Sequence, residues 1–118
     1  MILEKEIRDE IAKLVSIPVS LSTEAKDQEF PYIVIHLKGS TPNYTHDGQD
    51  QTKTKRVQIN VFAKTYISAK TEAIKVYEID KVKTNEIQFI KITNEVDDYD
   101  IETKTFGIYI DIDVKEGV

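Results

Sequence analysis

The stretch Arg56-Val57-Gln58-Ile59-Asn60-Val61-Phe62-Ala63-Lys64-Thr65-Tyr66 decides the fold, and Phe106-Gly107-Ile108-Tyr109-Ile110-Asp111-Ile112-Asp113-Val114 echoes it near the C-terminus. Apolar and polar residues alternate in both, the pattern of a strand with one face to bury and one to show. In the first, Val57, Ile59 and Val61 share a face against Arg56, Gln58, Asn60 and Phe62. In the second, Phe106, Ile108, Ile110, Ile112 and Val114 point one way.

Working outward, the period changes after Ala63-Lys64-Thr65. Tyr66, Ala69, Ala73, Val76 and Tyr77 fall on one helical face, with Ser68 placed as the N-cap and Asp80 near the helix end. The small Ala69 and Ala73 suit close approach to a sheet. Before the first strand, Leu3, Ile7, Ile11 and Leu14 form a second helical stripe that ends at Ser16 and Pro18. Val19 to Leu21 is placed as a short strand. Phe30-Pro31-Tyr32-Ile33-Val34-Ile35-His36-Leu37 is apolar enough for a central strand covered on both faces, with Pro31 at its start. Ile87 to Ile92 is a further strand, and an acidic turn at Asp97-Asp98-Tyr99-Asp100 separates it from the last.

Residues 39–52 break every periodicity, combining Gly39, Pro42, Asn43, Asp47 and Gly48 with hydroxyl and amide residues. They are expected as a long polar loop or a hairpin tip. Segments of this kind are often functional, so Asn43, Tyr44, Thr45, His46 and Asp47 are candidates for partner contact. The exposed sheet face, carrying Gln58, Asn60, Tyr109 and Asp111 beside Asp113, is half polar and half aromatic. It suits water or a neighbouring subunit.

These elements predict a single α+β domain over residues 1–118. Its mixed, mainly antiparallel sheet has four or five strands, and two helices pack on one face to bury their stripes. The chain has no cysteine, so neither disulfides nor a thiolate metal site are available, in keeping with a reducing compartment. Apolar runs are far short of the roughly 20 residues that cross a bilayer, and the N-terminal segment is a charged helical pattern. A soluble, unexported protein is expected. A net charge of -5, with Arg8 and Arg56 the only arginines, argues against a dedicated nucleic-acid reader, which gains affinity by clustering cations on phosphates.

Chemical constellations are sparse. Asp97, Asp98, Asp100 and Glu102 form a carboxylate-rich stretch, but counting from Asp98 a calcium loop would need glycine where Thr103 stands and glutamate where Tyr109 stands. Glu102-Thr103-Lys104, with Asp111 and Asp113 following, has the spacing of some metal-dependent nucleases without the acidic partner from a preceding strand. His36 lies in an apolar strand and His46 in the polar segment, neither with a visible nucleophile. The four glycines are dispersed, so there is no phosphate cradle. No catalytic residue, metal or cofactor is expected.

Pro31-Tyr32-Ile33-Val34-Ile35, the Arg56 to Ala63 strand with Tyr66 and Ala69, Asp98-Tyr99-Asp100 with Thr103, and Ile108-Tyr109-Ile110-Asp111-Ile112 together resemble the tail completion proteins of long-tailed bacteriophages, which include tail-to-head joining and tail terminator proteins. The similarity runs through nearly the whole chain in order and spacing. It departs from the commoner pattern in the lysine-rich second helix and in lacking tryptophan. The resemblance implies a non-enzymatic virion subunit, made in the host cytoplasm, that caps the head-proximal end of the tail tube. It implies a hexameric ring that can be monomeric when free, and partners in the tail tube protein and the head connector protein. DNA would pass through the lumen without specific binding, and no membrane is involved. Gln58, Asn60, Tyr109, Asp111 and the Asn43 to Asp47 segment are then candidates for ring or partner contacts. Two rival readings are a small protein-binding adaptor and a metal-dependent nuclease using Glu102 and Lys104.

Overall fold

The alternating stretches form the middle of a five-stranded sheet. A computed structural model describes residues 3–22, 29–45, 48–84 and 87–116, with only the backbone course described over 40–45 and 48–53. In chain order the elements are α1 (Leu3–Leu14), β1 (Val19–Leu21), β2 (Tyr32–Thr45), β3 (Gly48–Ala63), α2 (Tyr66–Val76), a 3₁₀ turn (Tyr77–Lys81), β4 (Ile87–Asp100) and β5 (Thr105–Glu116). The spatial order is β1-β2-β3-β5-β4. Only β1 runs parallel to its neighbour, matching Val19–Leu21 to Ile33–Ile35, and the other pairs are antiparallel.

Register follows from burial. Ile33↔Val61↔Ile108, Ile35↔Ile59↔Ile110 and Val57↔Ile112 stand in rows across β2, β3 and β5, and all eight side chains are essentially inaccessible to water. A slip of one residue would turn every one of them to the opposite face. The helices cover this face, α1 over β1 and β2 and α2 over β3 and β5. Leu3, Ile7 and Ile11 of α1 and Ala69, Ala73 and Val76 of α2 join the same core. The alanines permit the close helix–sheet approach that the sequence suggested. Two carboxylates within this layer have partners: Glu72 accepts from the Ser16 amide and pairs with Lys75, and Glu6 accepts from the Thr84 hydroxyl.

Four boundaries differ from expectation. Residues 39–52 are largely strand, since β2 runs to Thr45, β3 begins at Gly48, and Thr41↔Thr54, Tyr44↔Gln49 and Thr45↔Gly48 are paired. Backbone pairing across a hairpin does not need apolar alternation, so periodicity is blind to it. β5 pairs with β3 only as far as Thr54↔Lys115, so the hairpin arm continues beyond the sheet along a molecule 52 Å long and 24 Å across. β4 likewise runs past Ile92, with a bulge between Ile92 and Asn94, so Asp97–Asp100 belong to a strand and the turn is residues 101–104. The helix cap is Thr65, whose hydroxyl accepts from the Ser68 amide at 3.1 Å, and not Ser68 itself. Tyr66, expected in the buried stripe, is 43% exposed, with its ring edge-on to Phe106.

Candidate functional site

The sheet face away from the helices carries no covering element among the described residues. Its side chains come from the polar positions of the strands. Across β3 and β5, Asn60 stands opposite Tyr109, Gln58 opposite Asp111, and Arg56 opposite Asp113. Gln58 Nε2 donates to Asp111 Oδ1 at 3.1 Å, and Arg56 Nε lies 3.6 Å from Asp113 Oδ1. Pairs of this kind, directly opposite on one face, hold register as well as charge.

One end of the face is aromatic. Phe30, Tyr32, Phe62 and Tyr109 follow one another with ring centroids 5.2, 5.2 and 6.0 Å apart, the last pair edge-on. Such spacings are those of favourable aromatic contact. Tyr109 leans over Gly107, whose missing side chain makes room for it. Burial of its hydroxyl, the negative charges of Asp98 and Asp100, and a hydrogen bond to Asp98 push the Tyr109 phenol above its ordinary value. Val96, 48% exposed, stands opposite Tyr109 on β4 and extends the band.

Beneath this band two residues are already withdrawn from water without help from a helix. Val34 is 8% exposed and Asn60 6%. The Asn60 Oδ1 atom accepts no hydrogen bond from any described group. A buried, unpaired amide oxygen opposes folding.

The sequence candidates therefore divide. Gln58, Asn60, Tyr109 and Asp111 come together on this face. Asn43, Tyr44 and Thr45 lie at the end of the hairpin arm, beyond the reach of β5, and His46 and Asp47 fall outside the described residues. The acidic stretch does not converge. Asp97 accepts from the Tyr66 hydroxyl at 3.4 Å, Asp98 faces Tyr109, and Asp100 accepts from the Glu102 amide at 3.0 Å. Glu102 and Lys104 sit in the exposed turn, while Asp111 and Asp113 pair with Gln58 and Arg56. Among the described residues no three His, Asp or Glu side chains are grouped to hold a metal ion.

No protein-family model and no curated protein matches the chain. Among solved structures, it is similar to a chain of the virion of a native gene transfer agent particle, with a TM-score of 0.69 and 12% identity over 90% of this chain and 83% of that one. It shares the fold of a virion chain.

At 12% identity that likeness speaks for architecture alone. Residues that sequence reasoning passed over on the open face are Phe30, Tyr32, Val34 and Val96, which complete the aromatic band. The signal available for them was alternation: Tyr32, Val34 and His36 share one face of β2, but the apolar density of that strand hid which face was outward.

Proposed function

We propose that this protein is a structural subunit of a phage-like virion, and that within the particle it caps the head-proximal end of the tail tube as a six-fold ring and joins tail to head. The observation that carries the reading is the likeness of fold, over 90% of the chain, to a chain of a gene transfer agent virion. The resemblance of its strands to tail completion proteins supports the finer assignment.

The physical features suit the role. No catalysis is required of it, and Asp111 and Asp113 are engaged with Gln58 and Arg56. The open sheet face offers an aromatic band beside a polar strip, a mixture suited to a protein partner such as the tail tube protein or the head connector protein. The hairpin arm reaches past the sheet and supplies a second contact. A net charge of -5 lets DNA pass through the ring without sticking.

The test is functional. Tail tubes of its cognate particle, incubated with purified protein, are mixed with filled heads and scored for joined particles. Joining that depends on the protein is expected. Tubes that join heads equally well without it would remove the assignment.

A further inference from the structure

We propose that copies of this chain associate by continuing one sheet into the next, the outer edge of β4 in one copy pairing antiparallel with the outer edge of β2 in its neighbour, in a register that sets Asp98 against Lys38 and Asp100 against His36. The proposal deepens the ring reading and rests on it.

Among the described residues the sheet has two free edges on opposite sides. β4 is the last strand and pairs only with β5. β2 is covered by β1 only at Ile33–Ile35, which leaves its outer side from His36 to Thr45 without a strand among the described residues. Unpaired edges are ready templates for another chain. Because β2 and β5 run one way and β3 and β4 the other, β4 meets a neighbour's β2 in the antiparallel sense when the sheets continue side by side with helices on the same face. Such a contact uses two different surfaces, so it is head-to-tail and generates a ring where the rotation between copies closes.

Charge and blocking fix the register. Glu95, Asp97, Asp98 and Asp100 make the second half of β4 acidic, so two β4 edges facing each other would set acid against acid. His36 and the exposed Lys38 lie on the free part of β2. With the two sheets level, the row Asp97↔Ile108↔Val61↔Ile33 shows that the acidic half of β4 would meet the stretch that β1 covers. A slide of about six residues, roughly 20 Å at ~3.3 Å per residue, carries the neighbour's β1 past the end of β4. The slide brings Asp98–Asp100 alongside His36–Lys38. Asp100 and His36 both project from the open face, as directly opposed residues must.

Bulges on β2 between Leu37 and Gly39 and on β4 between Ile92 and Asn94 interrupt both edges. They keep the free protein from pairing indiscriminately, so the contact is short and forms on a template.

The chain has no cysteine, which makes cross-linking unambiguous. Lys38→Cys and Asp98→Cys are introduced singly and together, folding is checked by circular dichroism, and each protein is oxidised on tail tubes of the cognate particle. Opposed residues of an antiparallel pair stand about 5 Å apart at Cα, within disulfide range. The double variant is expected to give a covalent ladder up to the closed ring, each single variant alone none, and the two singles mixed only dimers. In parallel, Lys38→Asp or Asp98→Lys alone should raise the concentration for half-maximal capping about tenfold, with the combined reversal restoring it to within about threefold. Wild-type rings in the microscope with no ladder and no rescue would overturn the edge pairing and leave the ring standing. Bare tubes with wild-type protein would overturn both.

Discussion

The Tyr109 ring lies across Gly107, so that a methyl group placed on Gly107 would stand 3.0 Å from the Tyr109 hydroxyl oxygen and 3.3 Å from the ring edge. Glycine in a strand normally weakens it, and here its use is the space it leaves for a neighbouring ring.

Gly107→Val should therefore displace Tyr109 from Phe62 and Asp98 and destabilise the protein by about 1–3 kcal/mol. Tyr109→Ala removes the obstacle, and in that background Gly107→Val should cost far less. Urea unfolding of the four proteins of this cycle measures the coupling; equal effects of the valine in both backgrounds would show that the overlay does not constrain residue 107.

How much of this was legible in the sequence depends on which physical signal each element left. Ile59 and Ile110 announce themselves because burial imposes a period of two, and Ala69 and Ala73 because it imposes one of 3.6. Asp97 to Asp100 leave no such mark: they sit at an exposed sheet edge without an apolar face to bury, so composition suggested a turn. The same holds for 40–45 and 48–53, where strand continues without an apolar face to bury. Of the open face, Gln58, Asn60, Tyr109 and Asp111 were legible from alternation. The ring run from Phe30 through Tyr32 to Phe62 was not, because it depends on β2 lying beside β3 in one particular register.

At the start of α2, Thr65→Ala should cost about 1 kcal/mol, because the threonine hydroxyl is the acceptor for the Ser68 amide. Ser68→Ala should be nearly silent. Thermal denaturation of the two variants distinguishes them, and the reverse ranking would return the cap to Ser68.

Asn60→Val replaces a buried amide whose oxygen is unpaired by a β-branched apolar group, and should stabilise the fold by about 1 kcal/mol. If the open face is the docking surface, the same change lowers tube capping while raising the melting temperature. A variant that loses stability would mean that Asn60 makes a contact the fold needs.

Burial of its hydroxyl, a hydrogen bond to Glu95 and the charges of Glu95 and Asp97 push the Tyr77 phenol up to about 12. A folded-state value above the unfolded one gives stability that is fully present below the unfolded value. It is lost as the pH rises from the unfolded value of ~10 to about 12. Wild type should lose stability more steeply than Tyr77→Phe across that window, as read by urea midpoints at increasing pH. Parallel curves would contradict it.

The most direct test of the central claim is electron microscopy of tail tubes mixed with saturating purified protein. The account predicts a six-fold ring at one end of each tube and none at the other. Bare ends, or protein coating the tube along its length, would contradict it.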